Sequence, residues 1–230
     1  MEKKSAHDLI LETLSTTSVL KQDVFQLTKD RFAEFKMILE ELAGEWHKEI
    51  SGIDKRVEIK YLDRSEFECE LIVAGDRLIF NMHTNVFQFD SNNALWQTSY
   101  LKDNPNNAYC GTIRIYNFLN DSFKLRRTND VGYMIARVFI NSQNHFFVQG
   151  KRQLGFLFND FKHAELSKAE IKRVVESAVL YTLSFDLYIP PYSSVQEVTV
   201  SDILDIRNNV GITTGKRLGY KFQSELEELE

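Results

Sequence analysis

Phe67-Glu68-Cys69-Glu70-Leu71-Ile72-Val73-Ala74-Gly75-Asp76-Arg77-Leu78-Ile79-Phe80-Asn81-Met82 is the stretch that decides the fold. Phe67, Cys69, Leu71 and Val73 alternate with Glu66, Glu68 and Glu70, and Leu78, Phe80 and Met82 resume that period after the turn chemistry of 74–77. A period of two sends one set of side chains into a core and the other into water, the mark of antiparallel strands with one buried face. Upstream, Val57, Ile59 and Tyr61 alternate with Glu58 and Lys60 and add a strand. Downstream, strands are expected near 85–89, 95–101, 108–118, 122–128, 131–141, 145–149 and 153–158, with turns at Asn104-Pro105-Asn106-Asn107 and Asn120-Asp121-Ser122. The run at 131–141 is different. Met134, Ala136, Val138 and Ile140 face one way and Tyr133, Ile135 and Phe139 the other, interrupted only by Arg137. A strand apolar on both faces belongs in the middle of a sheet, covered on both sides.

Helical periodicity brackets this sheet. Residues 5–15 form a short helix with Ser5 as N-cap and Asp8 in the first turn. Phe25, Thr28, Phe32, Phe35, Leu39, Leu42 and Trp46 then recur in steps of three and four, which gives one aromatic-rich face over a helix of about 26 residues. That face packs on the sheet or pairs with another helix. Ser167 and Glu170 form a capping box, with Leu166 and Ile171 as its hydrophobic staple and a stripe running through Val174, Val175, Ala178, Val179 and Leu183 up to Pro190-Pro191. This helix is expected on another face or end of the sheet. A short helix follows from Ser201, and residues 225–230 read as a solvated tail.

The expected architecture is therefore α+β: an extended antiparallel sheet packed by a long N-terminal helix and a helix in the C-terminal half. No repeat or Pro/Gly/Ser-rich linker divides the chain, so residues 1–230 read as one domain, with a helical part over about 5–50, a sheet over about 56–160 and a helical and irregular part over about 166–230. Hydrophobic residues at 43% and charged residues at 27% give it enough apolar surface for a core without a covalent staple. Cys69 and Cys110 are too few for a disulfide framework and read as reduced, buried thiols. The polar start lacks the apolar segment of a signal peptide and no run is long enough for a membrane span, so a cytoplasmic location is expected.

Charge is uneven: −6 over residues 1–100, +4 over 101–160 and −3 over 161–230. That balance argues against a dedicated DNA binder and leaves room for a local anion site. Within the basic centre Arg114, Tyr116 and Phe118 alternate on one strand, Lys124 and Arg126 on the next with Arg127 beside them, and Lys151-Arg152 sits in a turn. Cations beside aromatic rings on a sheet can hold phosphates and stack bases. An acidic alternative is Asp54, Glu58 and Lys60, whose composition suits carboxylate-held Mg²⁺ with a lysine orienting water or phosphate.

Other chemistry finds little support. His7, His47, His83, His145 and His163 are scattered, with no zinc-ligand spacing, so no metal or other cofactor is expected. No Gly-x-Ser-x-Gly elbow occurs. Gly211-Ile212-Thr213-Thr214-Gly215-Lys216-Arg217 has three residues between glycines where a phosphate loop needs four, and reads as a basic turn. The expectation is a non-enzymatic binding or regulatory protein that associates with itself or a protein partner through its helices and carries an anion-binding sheet face. Nucleic acid is a weaker candidate partner, and no membrane partner is expected. The alternative is a metal-dependent enzyme acting on a phosphate-bearing substrate such as nucleic acid.

Overall fold

The computed structural model describes residues 4–185, 187, 192–194 and 196–207. The basic turn at 211–217 and the tail at 225–230 lie outside them.

Seven antiparallel strands form one sheet: β1 Ile59–Ser65, β2 Glu68–Val73, β3 Asp76–Met82, β4 Phe87–Gln88, β5 Tyr109–Leu119, β6 Tyr133–Asn141 and β7 Phe146–Gly150. Their order is β1-β2-β3-β5-β6-β7. β5 is long enough to pair β3 over 113–119 and the two-residue β4 over 109–110, so both lie on the same side of it. Beyond β7 the backbone turns back along the outer edge. Phe146 N donates to Ala164 O at 2.9 Å and Val148 N to Phe158 O at 2.8 Å, which satisfies groups that an edge strand would otherwise expose.

Both long helices cover the same face of this sheet. α1 Ala6–Thr13 starts on the Ser5–Asp8 capping box and continues through a π-helical turn, Leu14–Ser18, into α2 Val19–Ser51. Periodicity predicts two separate helices over this stretch. The chain instead stays helical across the junction because no glycine or proline lies between Thr13 and Phe25, while the hydroxyls of Thr13, Ser15 and Thr16 bond carbonyls a turn back. Val24, Thr28, Phe32, Phe35, Leu39 and Leu42 of α2 are buried against the inward residues Leu71, Leu78, Phe80, Ile113 and Val138. Contact is closest at Gly111 of β5, where a Cβ would stand 1.9 Å from Thr28 Oγ1. α6, Lys168–Leu183, is capped by Ser167 and adds Ile171, Val174, Val175 and Ala178 to the same core. It lies beside α2, not on another face.

Three expected strands are something else. Residues 95–101 fall in a 3-10 turn, Ala94–Gln97, and α3, Ser99–Asp103. Residues 122–128 contain the end of α4, Asn120–Lys124, then a turn in which Arg126 has φ 53°. Residues 153–158 begin as α5, Gln153–Phe156. None of the three enters the strand order of the sheet. β6 also departs from strict alternation. Ile115 pairs Ala136 but Tyr116 pairs Met134, so Ile135 is bulged and Met134 faces away from Ala136. Another helix, α7, spans Val200–Arg207.

Candidate functional site

The sheet's other face carries two arginine regions and a second, smaller core. Reading across one row of paired residues gives Glu68, Asn81, Arg114, Arg137 and Gln149. Arg114 of β5 and Arg137 of β6 therefore stand directly opposite one another, with Cα atoms about 4.5–5.5 Å apart for such a pair. Like charges so placed repel. Among the described residues neither guanidinium has a carboxylate within ion-pair distance. Arg137 donates to Gln149 Oε1 and lies 5.4 Å from the Phe139 ring centre. Charge from Arg114 reaches His83, whose ring burial first and then Arg114 hold below the usual histidine range. His83 Nδ1 accepts from Asn85 N at 3.0 Å, an arrangement that needs the neutral imidazole.

These arginines form part of the lining of a cleft of about 610 Å³, within the range of small-molecule sites. Aromatic walls come from three elements: Phe87 and Phe89 at β4, Phe139 on β6 and Phe147 on β7. Phe139 and Phe147 stack at 4.9 Å, and Phe89 meets Phe139 edge-on at 5.3 Å. Behind them Leu101, Ala108, Cys110 and Phe161 make the smaller core that fixes these rings. The rim holds Gln88, Asn93, Asn159 and one acid, Asp90, whose carboxylate accepts from Asn92 N at 2.9 Å. Thr112, also lining the cleft, has a fully covered hydroxyl with no hydrogen-bond partner among the described residues.

At the other end of the same face Arg77 is built in. It donates to Glu70 Oε2 at 3.1 Å and to Asn120 Oδ1 at 2.9 Å, and lies 4.4 Å from the Phe123 ring centre. Arg64 also donates to Glu70, at 2.9 Å.

Of the residues singled out in the sequence, Arg114 lines the cleft and Tyr116 stands two positions along the same strand, half-buried. Lys124 donates to Glu58 Oε2 at 2.7 Å, so a basic candidate pairs with an acidic one, and that hydrogen bond holds the Glu58 carboxyl below its ordinary range. Arg126 is exposed, and Arg127 Nε lies 3.0 Å from Asp130. Lys151 is exposed, while the Arg152 guanidinium lies 4.9 Å from the Phe185 ring centre. Asp54 is tied to Arg56 at 2.6 Å, and Lys60 is exposed on β1. Three strand spacings, about 14 Å, separate β1 from β5, so Lys60 does not converge with Arg114. The cleft residues Arg137, Gln149, Phe87, Phe89, Phe139 and Phe147 were not among the candidates. One signal was legible, since Arg137 is the single charge in an otherwise apolar central strand.

Among the described residues, no group of three or more His, Cys, Asp or Glu side chains could hold a metal ion, and no helix is long and apolar enough to cross a membrane. Burial pushes the Cys69 thiol up to about 12 and raises Cys110 as well; both are free and buried. No family model, curated protein or solved structure matches the chain.

Proposed function

We propose that this chain is a binding protein whose working part is the cleft, and that it takes a small organic anion with an apolar or ring-bearing body. The observation that carries this reading is the cross-strand pair Arg114–Arg137, two cations facing each other with no carboxylate within ion-pair distance among the described residues, beside a wall of phenylalanines. Such a pair costs stability in the empty protein and is offset when an anion bridges both guanidinium groups. The rings give the rest of the ligand a dry surface. Isothermal titration with phenyl phosphate, 2-naphthoate and benzoate tests the reading. At least one should bind, and lose about tenfold or more in the Arg114→Gln/Arg137→Gln double variant, the scale of a lost charged hydrogen bond. Equal affinity in wild type and variant for every probe contradicts it.

A second reading, self-association, has one observation in its favour. Between Ala6 and Ser18 no residue is buried, and Leu9, Ile10, Leu11 and Leu14 are each about half exposed. The only charges at positions 6–18 are Asp8 and Glu12, and Glu12 is paired with Lys4, so the stripe complements a second copy of itself better than a charged partner. Sedimentation equilibrium should find a dimer that Ile10→Glu/Leu14→Glu returns to monomer; a wild-type monomer at tens of micromolar rules it out.

A further inference from the structure

We infer that the ligand of the cleft is a mononucleotide, with its phosphate on Arg114 and Arg137 and its base against the phenylalanine wall. This rests on the cleft reading above and narrows it on three grounds.

The first is charge. Among the described residues the lining holds two arginines, one acid and no lysine. A phosphomonoester carries about −1.5 to −2 near pH 7 and three strong acceptor oxygens, so one group can satisfy two guanidinium forks; a carboxylate brings a single charge and two oxygens. Two forks from adjacent strands match the phosphate more fully.

The second is the edge chemistry of the rim. Gln88, Asn93 and Asn159 offer three carboxamides around the aromatic wall, each with both a donor and an acceptor group. Asn93 Oδ1 already accepts from Leu95 N at 3.0 Å, which leaves its amide hydrogens as donors. A heteroaromatic base shows adjacent donors and acceptors along its edge, and carboxamides pair with that pattern. A plain hydrocarbon ring would use none of them.

The third is extent. β4 bounds the cleft on one side and the segment carrying Gly155 and Asn159 on the other. The rings differ: Phe139 is recessed at 8% exposed, while Phe87 at 40% is open to solvent. A strand of nucleic acid needs an open row of rings along the sheet. A recess of about 610 Å³ suits one nucleotide.

The test is calorimetric titration of the full chain with AMP, GMP, CMP and UMP, alongside the matching nucleosides, phenyl phosphate and an eight-residue oligonucleotide. At least one nucleoside monophosphate should bind about tenfold or more tightly than its nucleoside and than phenyl phosphate. Arg114→Gln/Arg137→Gln should remove that binding, and Arg114→Lys/Arg137→Lys should weaken it, since lysine keeps the charge and loses the fork. Phe87→Ala should weaken the nucleotide several-fold and phenyl phosphate, whose ring is smaller, by less. Melting curves within a few degrees of wild type qualify each variant as folded. Arginine-dependent binding of phenyl phosphate that equals or exceeds every nucleotide overturns the nucleotide inference and leaves the anion cleft standing. Affinity that favours the oligonucleotide overturns it in favour of a strand. No arginine-dependent binding by any probe, including the naphthoate and benzoate above, overturns both.

Discussion

Arg77 and the pair Arg114–Arg137 occupy the same face of the same sheet and are treated in opposite ways. Arg77 is 7% exposed, and its guanidinium is surrounded by Glu70, Asn120 and the Phe123 ring. Arg114 and Arg137 are half-buried, face each other, and among the described residues meet no carboxylate. A cation kept for architecture receives its partners from the chain, because an uncompensated buried charge is costly. A pair left without them, on central strands and beside fixed aromatic rings, is arranged for something the chain does not supply. The difference between the two regions is the main physical ground for a functional reading.

The largest effect belongs to the built-in region. Glu70→Ala should cost about 3–5 kcal/mol, because it strands Arg77 in a buried setting. Denaturant unfolding measures this, and a loss below about 1 kcal/mol would place Arg77 in the same class as the cleft arginines. The helix-covered face sets the scale for ordinary packing. Leu39→Ala, which empties a fully buried position, should lose about 2–5 kcal/mol.

At the cleft the sign reverses. Arg137→Gln in ligand-free protein should raise stability by about 0.2–1 kcal/mol at low salt, since it relieves a like-charge pair, and the gain should fade above 0.5 M salt. A loss of more than about 1 kcal/mol would mean that Arg137 is structural after all. The smallest effect is at Thr112. Thr112→Val removes a covered hydroxyl that has no partner among the described residues, so stability should stay within about 1 kcal/mol of wild type or rise. A marked loss would reveal a hidden partner for that oxygen.

The α+β class, the Ser5 and Ser167 caps and the buried stripe of α2 could be read because each depends on neighbours within a few residues. Local periodicity also separated β1, β2 and β3. It misjudged 95–101, 122–128 and 153–158, where alternation is short and strand pairing, a long-range property, decides. The same limit governs the cleft. Arg114 and Arg137 lie far apart in sequence, and only the β5–β6 register makes them opposite. Alternation over 122–128 predicts a strand that would set Lys124 and Arg126 beside Arg114; α4 and its turn carry them elsewhere. The recess itself depends on how β4 and the segment after β7 pack over the sheet, which no window of sequence contains.

The most direct test of the central claim is the melting temperature of wild type and of Arg114→Gln/Arg137→Gln with increasing pyrophosphate at fixed ionic strength. Pyrophosphate carries anionic oxygens without a ring, so it probes the guanidinium pair alone. At about ten times its dissociation constant it should raise the wild-type melting temperature by about 3–6 °C and leave the double variant unchanged. Parallel shifts in both proteins, or none in either, would contradict an anion site at Arg114 and Arg137.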